Sequence, residues 1–177
     1  MKRIATILIC PCLFLVGCAG GLGLPKIDRE GEPEIVDDLF PAPYKIVCYN
    51  GGDQRTFDLS TNEYEGIWEK LDVLQAEEVI YLEGMVGVGE VKEIKAGRQC
   101  IELLYGAAQK SAHGSLSALP FTGILLYDLD KSAAKILYYH YQDGKYGDFF
   151  VPVGIATSEK LSALAGYAGN LFSEVVE

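Results

Sequence analysis

Phe121-Thr122-Gly123-Ile124-Leu125-Leu126-Tyr127, Ala134-Lys135-Ile136-Leu137-Tyr138-Tyr139-His140-Tyr141 and Tyr146-Gly147-Asp148-Phe149-Phe150-Val151 are three runs dominated by branched and aromatic residues. Such side chains fit the pleated surface of a strand. The runs are joined by Asp128-Leu129-Asp130-Lys131 and Gln142-Asp143-Gly144-Lys145, where Asp and Gly supply the local hydrogen bonds and φ values that tight turns need. Joints this short connect only antiparallel neighbours. The stretch therefore predicts an antiparallel meander.

On the N-terminal side, Tyr44 to Tyr49 reads as a strand, Asn50-Gly51-Gly52-Asp53 as a hairpin turn, and Thr56 to Leu59 as its return. Ser60 stands three residues before Glu63 in capping-box spacing. Tyr64, Ile67, Trp68, Leu71 and Leu74 recur at helical intervals and predict a helix over about 61–75, with Trp68 a core anchor. Val79 to Val86 and Glu90 to Lys95 read as β segments around Gly84, Gly87 and Gly89. Gln99 to Tyr105 is a further strand, and residues 106–120 form a polar connection. On the C-terminal side, Thr157 or Ser158 caps a helix over about 158–175, with Leu161, Leu164, Ala165, Ala168, Phe172 and Val175 on one face. The expectation is an α+β fold: one antiparallel sheet of about five to seven strands with two helices, forming a single domain over residues 44–177.

The first eighteen residues have a different character. Lys2 and Arg3 precede an apolar run from Ile4 to Val16, which ends in Leu15-Val16-Gly17-Cys18. At 1.5 Å per residue that run reaches about 20 Å, short of the roughly 30 Å a spanning helix must cover, so it reads as the hydrophobic region of a signal peptide. The segment resembles the bacterial lipoprotein leader with its lipobox. The resemblance implies cleavage between Gly17 and Cys18, a diacylglyceryl thioether on Cys18, and a protein held outside the cytoplasm by its acyl chains. Two chains are about the minimum for lasting attachment, because each buried methylene contributes about 0.8 kcal/mol. The resemblance leaves open whether the cell membrane or the outer membrane carries the anchor.

Residues 18–43 are rich in Gly, Pro and acids and lack apolar periodicity, which predicts a flexible tether. Only Ile35, Val36, Leu39 and Phe40 in it could dock on the domain or a partner. The order of early strand and helix, the hairpin from Tyr138 to Tyr146 and the closing Ser-led helix also resemble small α+β domains of Gram-positive lipoproteins. That likeness implies no activity.

The chain has a formal net charge of −10, and loss of Lys2 and Arg3 with the leader would take it to about −12. Such a field repels phosphate backbones, so no nucleic-acid partner is expected. The expected partners are the membrane, through the lipid anchor, and an envelope protein or cell-wall component. Of the five cysteines, only Cys48 and Cys100 lie beyond Cys18. An oxidising compartment would allow a disulfide between them; two buried free thiols are the alternative.

No residue pattern specifies catalysis. The chain has two histidines, His113 beside Ser111, Ser115 and Ser117, and His140 in the tyrosine-rich run; no nucleophile elbow accompanies either. Gly84, Gly87 and Gly89 lack the helix directly behind them that a phosphate loop needs, because Glu90-Val91-Lys92-Glu93 follows. Asp128, Asp130 and Ser132 have the spacing of calcium-loop ligands, but Ala133 and Tyr139 replace the required Gly and Glu. No metal and no cofactor is expected. The one positive signal is aromatic: alternation places Tyr139 and Tyr141 on one strand face, and with Tyr146 they form a candidate interaction surface. The expected function is a non-enzymatic binding domain at the cell envelope. The alternatives are an envelope hydrolase using His113 or His140, and a module that binds a small ligand or metal.

Overall fold

The computed structural model describes residues 33–82, 86–112, 120–142, 145–146 and 151–173. In chain order the elements are β1 (Glu34–Val36), β2 (Lys45–Asn50), β3 (Asp53–Asp58), α1 (Asn62–Asp72), β4 (Val79–Tyr81), α2 (Val88–Gly97), β5 (Cys100–Ser111), β6 (Pro120–Tyr127), β7 (Ala133–Tyr139), β8 (Tyr141–Gln142), β9 (Lys145–Tyr146), β10 (Val151–Ala156) and α3 (Glu159–Asn170). The fold is α+β. Its main sheet has eight strands in the order β3-β2-β5-β6-β7-β10-β4, with β1 added beside β5; β8 and β9 form a separate hairpin. All pairings are antiparallel except β1 with β5.

Several elements follow directly from local chemistry. Gly51 and Gly52 take φ of +60° and +98°, as the two-residue turn between β2 and β3 requires. The capping residue of α1 is Thr61, whose hydroxyl accepts from the Tyr64 N–H; Ser60 instead donates to the Asp58 carboxylate, which holds that acid below its usual range. Ser158 caps α3 by accepting from the Leu161 N–H.

The sheet is covered on both faces. On one side α1 and α3 contribute Tyr64, Ile67, Leu71, Leu161, Leu164 and Ala168 to the larger core, against Ile46, Cys48, Ile101, Leu103, Ile124 and Ile136 of the strands. On the other side α2 lays Val91 and Ile94 on Cys100, Leu125, Tyr127, Leu137 and Tyr139. Burying each large apolar side chain contributes about 1.5–3 kcal/mol, so the larger face carries most of the stability.

The structure corrects four expectations. Among the described residues there are three helices: Val88–Gly97 is helical because Val91 and Ile94, three apart, meet the sheet together, an arrangement a strand would not give. The main sheet has eight strands against the expected five to seven: β4 falls within the expected segment from Val79 to Val86, whereas β1 is a three-residue addition inside the expected tether. The third strand of the meander is Val151–Ala156, which pairs with β7, while Tyr141–Gln142 and Lys145–Tyr146 form the hairpin between them. Finally, the folded part begins by Glu34, not Tyr44: β1 pairs with β5, Leu39 is 2 % exposed and Phe40 is 0 % exposed.

Candidate functional site

The segment that continues from β1 into β2 is clasped by side chains of three elements and of the turn after α1. Tyr64 of α1 donates its hydroxyl to the Pro43 carbonyl, Tyr105 of β5 to Pro41 at 3.1 Å, and Tyr138 of β7 to Leu39 at 3.0 Å. The three donors thus reach carbonyls of alternate residues, Leu39, Pro41 and Pro43, of one segment. Gln75 completes the clasp: its amide oxygen accepts from the Phe40 N–H at 2.9 Å and its NH₂ donates to the Phe40 carbonyl at 2.6 Å. Pro41 and Pro43 have no N–H to leave unsatisfied. Beneath this strap, Phe121 packs edge-on against Tyr105 and Tyr138, with ring centroids 5.6 and 5.1 Å apart. Burial raises the Tyr64 hydroxyl above its ordinary pKa and Tyr105 well above it, so both donors stay protonated at neutral pH.

The opposite face holds a charged counterpart. Glu102 of β5 is 5 % exposed; it accepts from the Tyr49 hydroxyl of β2 at 2.7 Å, from the Tyr139 hydroxyl of β7, and from the Lys95 ammonium of α2. Tyr139 reaches it across β6 because Gly123 stands in between; a Cβ there would lie 2.3 Å from the tyrosine ring. The Lys95 ammonium also lies 5.1 Å from the centre of the Tyr49 ring. Hydrogen bonds to an ionised carboxylate are about twice as strong as neutral ones, so this centre ties α2 to three strands of the sheet.

A second ionic group lies nearby. Asp128, in the left-handed region at φ +56°, accepts from Arg98 at 2.5 Å and pairs with Lys135 at 3.3 Å. Both cations also lie over the Tyr127 ring, at 5.8 and 5.5 Å from its centre. Burial, reinforced by the Asp128 carboxylate, pushes the Tyr127 hydroxyl up to about 12. With its carboxylate engaged by two cations, Asp128 serves the turn and not a calcium loop; Asp130 is exposed and pairs with Lys131. Among the described residues no group of three or more His, Cys, Asp or Glu could hold a metal ion.

The comparisons give no relative to argue from: no family model, no curated protein and no solved structure matches the chain.

The structure separates the residues singled out by sequence. Tyr139 is 1 % exposed and occupied with Glu102, so it offers no recognition surface; α2 covers the face that alternation left open. The backbones of Tyr141 and Tyr146 pair in the β8–β9 hairpin, and their side chains lie outside the described residues. Cys18, His113 and Gly84 also lie outside them. His140 follows β7 and is half-buried. Cys48 and Cys100 are buried free thiols: Cys48 pairs in register with Ile101 and Cys100 with Tyr49, which sends the two sulfurs to opposite faces. Burial pushes each thiol up to about 12, far from a reactive thiolate. Gly87 does precede a helix, contrary to the expectation of a strand there, but no side chain caps that helix.

Sequence reasoning missed the clasp and the Glu102 centre. The clasp had one visible sign, the Leu39-Phe40-Pro41-Ala42-Pro43 stretch, apolar inside an acidic segment. Glu102 had one too, an acid inside Cys100-Ile101-Glu102-Leu103-Leu104.

Proposed function

We propose that this chain is a lipid-anchored protein of the bacterial cell envelope, whose single α+β domain is a non-enzymatic binding module facing the aqueous side of the membrane. The observation that carries this reading is the leader: Lys2 and Arg3, the apolar run from Ile4 to Val16, and Leu15-Val16-Gly17-Cys18. Among the described residues no helix is long and apolar enough to cross a membrane; in this reading the attachment is the acyl anchor on Cys18.

The strap refines the anchoring geometry. The domain is held from Glu34 onward, so the length left to act as a tether runs from Ala19 to about Pro33. A coil of that length, as the Gly- and Pro-rich sequence predicts, would span about 20 Å and hold the domain close above the lipid head groups. Tension applied through the anchor would reach β1 and the clasp before any other part of the sheet.

Replacing Cys18 by Ala tests the anchor. The Cys18→Ala protein is expected to leave the membrane fraction and appear in the soluble extracytoplasmic fraction, still carrying its folded domain. Unchanged membrane association would contradict the reading.

A further inference from the structure

Five large apolar side chains are exposed among the described residues: Ile35, Tyr44, Leu59, Val73 and Ile80. Three of them gather at one end of the main sheet. β5 ends there, β2 and β6 begin there and β3 ends there, because Lys45 is in register with Leu104 and Asp58, and Lys110 with Pro120. Tyr44 precedes β2 and Leu59 follows β3, so the pairing of Lys45 with Asp58 places both at this rim. Ile35 joins them from β1, in register with Lys110; it and Leu59 are each 73 % exposed. Single apolar side chains scattered over a surface need no explanation, but a group of them at one end marks a contact.

The chain enters the fold at the same end, since β1 pairs with the last three residues of β5. In the proposed anchoring, a coil from Ala19 to Pro33 of about 20 Å is all that separates this rim from the lipid. At that range tethering supplies a high local concentration, and a few apolar side chains suffice for contact. Tyr44 combines an apolar ring with a polar tip, which suits the boundary between lipid and water. The Lys45 ammonium lies 5.4 Å from the centre of the Tyr44 ring, and Lys110 stands opposite Ile35. Such stems can lie along apolar surface while their charges stay among the head groups. Glu34, Asp37, Asp38 and Asp58 are exposed at the same rim and oppose an anionic surface. The contact is therefore apolar in origin and favours lipids without net charge.

We propose that the rim carrying Ile35, Tyr44 and Leu59 is a lipid-contact surface, which rests in the head-group region of a bilayer of zwitterionic lipid. It turns this end of the sheet toward the membrane and the turns at Asn50–Asp53 and Asp128–Lys131 away from it. The proposal rests on the lipid-anchor reading of Cys18 and adds an orientation to it.

The test uses the chain purified from its producing cells and added to preformed phosphatidylcholine vesicles. Where residue 18 bears acyl chains, the protein is used directly. Where residue 18 is a free thiol, the anchor reading has failed, and that thiol is coupled to a maleimide-bearing lipid so that the contact is still read on its own. In separate preparations Ile35, Leu59 and, at the opposite end, exposed Gln54 are each replaced by photoreactive p-benzoylphenylalanine, and adducts formed on irradiation are identified by mass spectrometry. Lipid adducts from positions 35 and 59 are expected several-fold above those from position 54, and lower on vesicles enriched in phosphatidylglycerol. Equal yields from the three positions would overturn the proposal. So would adducts that join two protein chains in place of lipid, or adducts that form only on the anionic vesicles.

Discussion

Tyr138 and Tyr139 are neighbours in β7, and the two faces of the sheet use them differently. Tyr138 gives its hydroxyl to a peptide carbonyl of the strap, together with Tyr64 and Tyr105, in a clasp made of neutral groups. Tyr139 gives its hydroxyl to an ionised carboxylate, together with Tyr49 and Lys95, in a centre that holds a short helix. The clasp face is broad, apolar and sealed by two long-range helices. The Glu102 face is small, and α2, with Gly89 inside it and Gly97 at its end, needs the ionic tie because a ten-residue helix has little stability of its own. A neutral network is stable wherever its tyrosines stay protonated; a charged one also depends on every partner remaining in place.

The largest effects should come from removing one member of each network. Phe40→Ala, which empties a fully buried site under the strap, is expected to cost about 3–5 kcal/mol in urea unfolding. Glu102→Ala takes the buried carboxylate from the half-buried Lys95 and from the Tyr49 and Tyr139 hydroxyls, and is expected to cost a similar amount, about 3–5 kcal/mol. The distinguishing readout is hydrogen exchange: Phe40→Ala should deprotect β1 and residues 105–111 first, and Glu102→Ala should deprotect α2. Deprotection of the whole sheet at once in both variants would erase the contrast between the faces.

Gly123→Ala is a smaller intrusion on the charged face only. Its new methyl meets the Tyr139 ring, and overpacking of this kind costs about 1–3 kcal/mol. Tyr139→Phe in the same chain should relieve only part of the cost, because the new methyl meets ring carbons as well as the hydroxyl; a wild-type melting temperature for Gly123→Ala would show that the ring does not lie across β6.

The adjacent tyrosines sharpen the comparison further. Tyr139→Phe removes a hydrogen bond to a charged acceptor and is expected to cost about 1.5–3 kcal/mol, against about 1 kcal/mol for Tyr138→Phe. In double-mutant cycles Tyr139→Phe should couple to Glu102→Gln, whereas Tyr138→Phe should add to it within about 0.5 kcal/mol. Equal costs and equal coupling would mean that the two hydroxyls share one environment.

The smallest effect is shared by both faces. Cys48 and Cys100 are pushed up to about 12 from 9.0, and burial raises Tyr64, Tyr105 and Tyr127 from 10.0. Each group keeps its proton in the fold after the unfolded chain has lost it. Stability is therefore full well below pH 9, falls as pH rises through about 9 by way of the thiols, and falls faster above 10 by way of the tyrosines. At pH 9.5 the loss is on the order of 1 kcal/mol per thiol. Cys48→Ala and Cys100→Ala should each flatten the decline between pH 9 and 10 by the same amount, since one thiol lies on each face.

How far these features were legible in the sequence depended on the range of the interactions that make them. The β2–β3 hairpin and the helices α1 and α3 were readable because Asn50-Gly51-Gly52-Asp53, the caps and the apolar spacing are local signals. Helix α2 was not, because its i, i+3 spacing of Val88, Val91 and Ile94 runs through only ten residues with two glycines and no side-chain cap. β1 was hidden for a similar reason: Glu34-Ile35-Val36 has no pattern of its own and becomes a strand by pairing with Gln109, Lys110 and Ser111. Alternation placed Tyr138 and Tyr139 on opposite faces correctly, but could not show that both faces are covered. The leader is the reverse case, since its signal lies wholly in Lys2 to Cys18.

The most direct test of the proposed anchoring is intact and peptide mass spectrometry of the chain isolated from the membranes of its producing cells. The expected N-terminal residue is Cys18, carrying the mass of a thioether-linked diacylglycerol, with residues 1–17 absent. A chain that begins at Met1, or an unmodified thiol at Cys18, would contradict it.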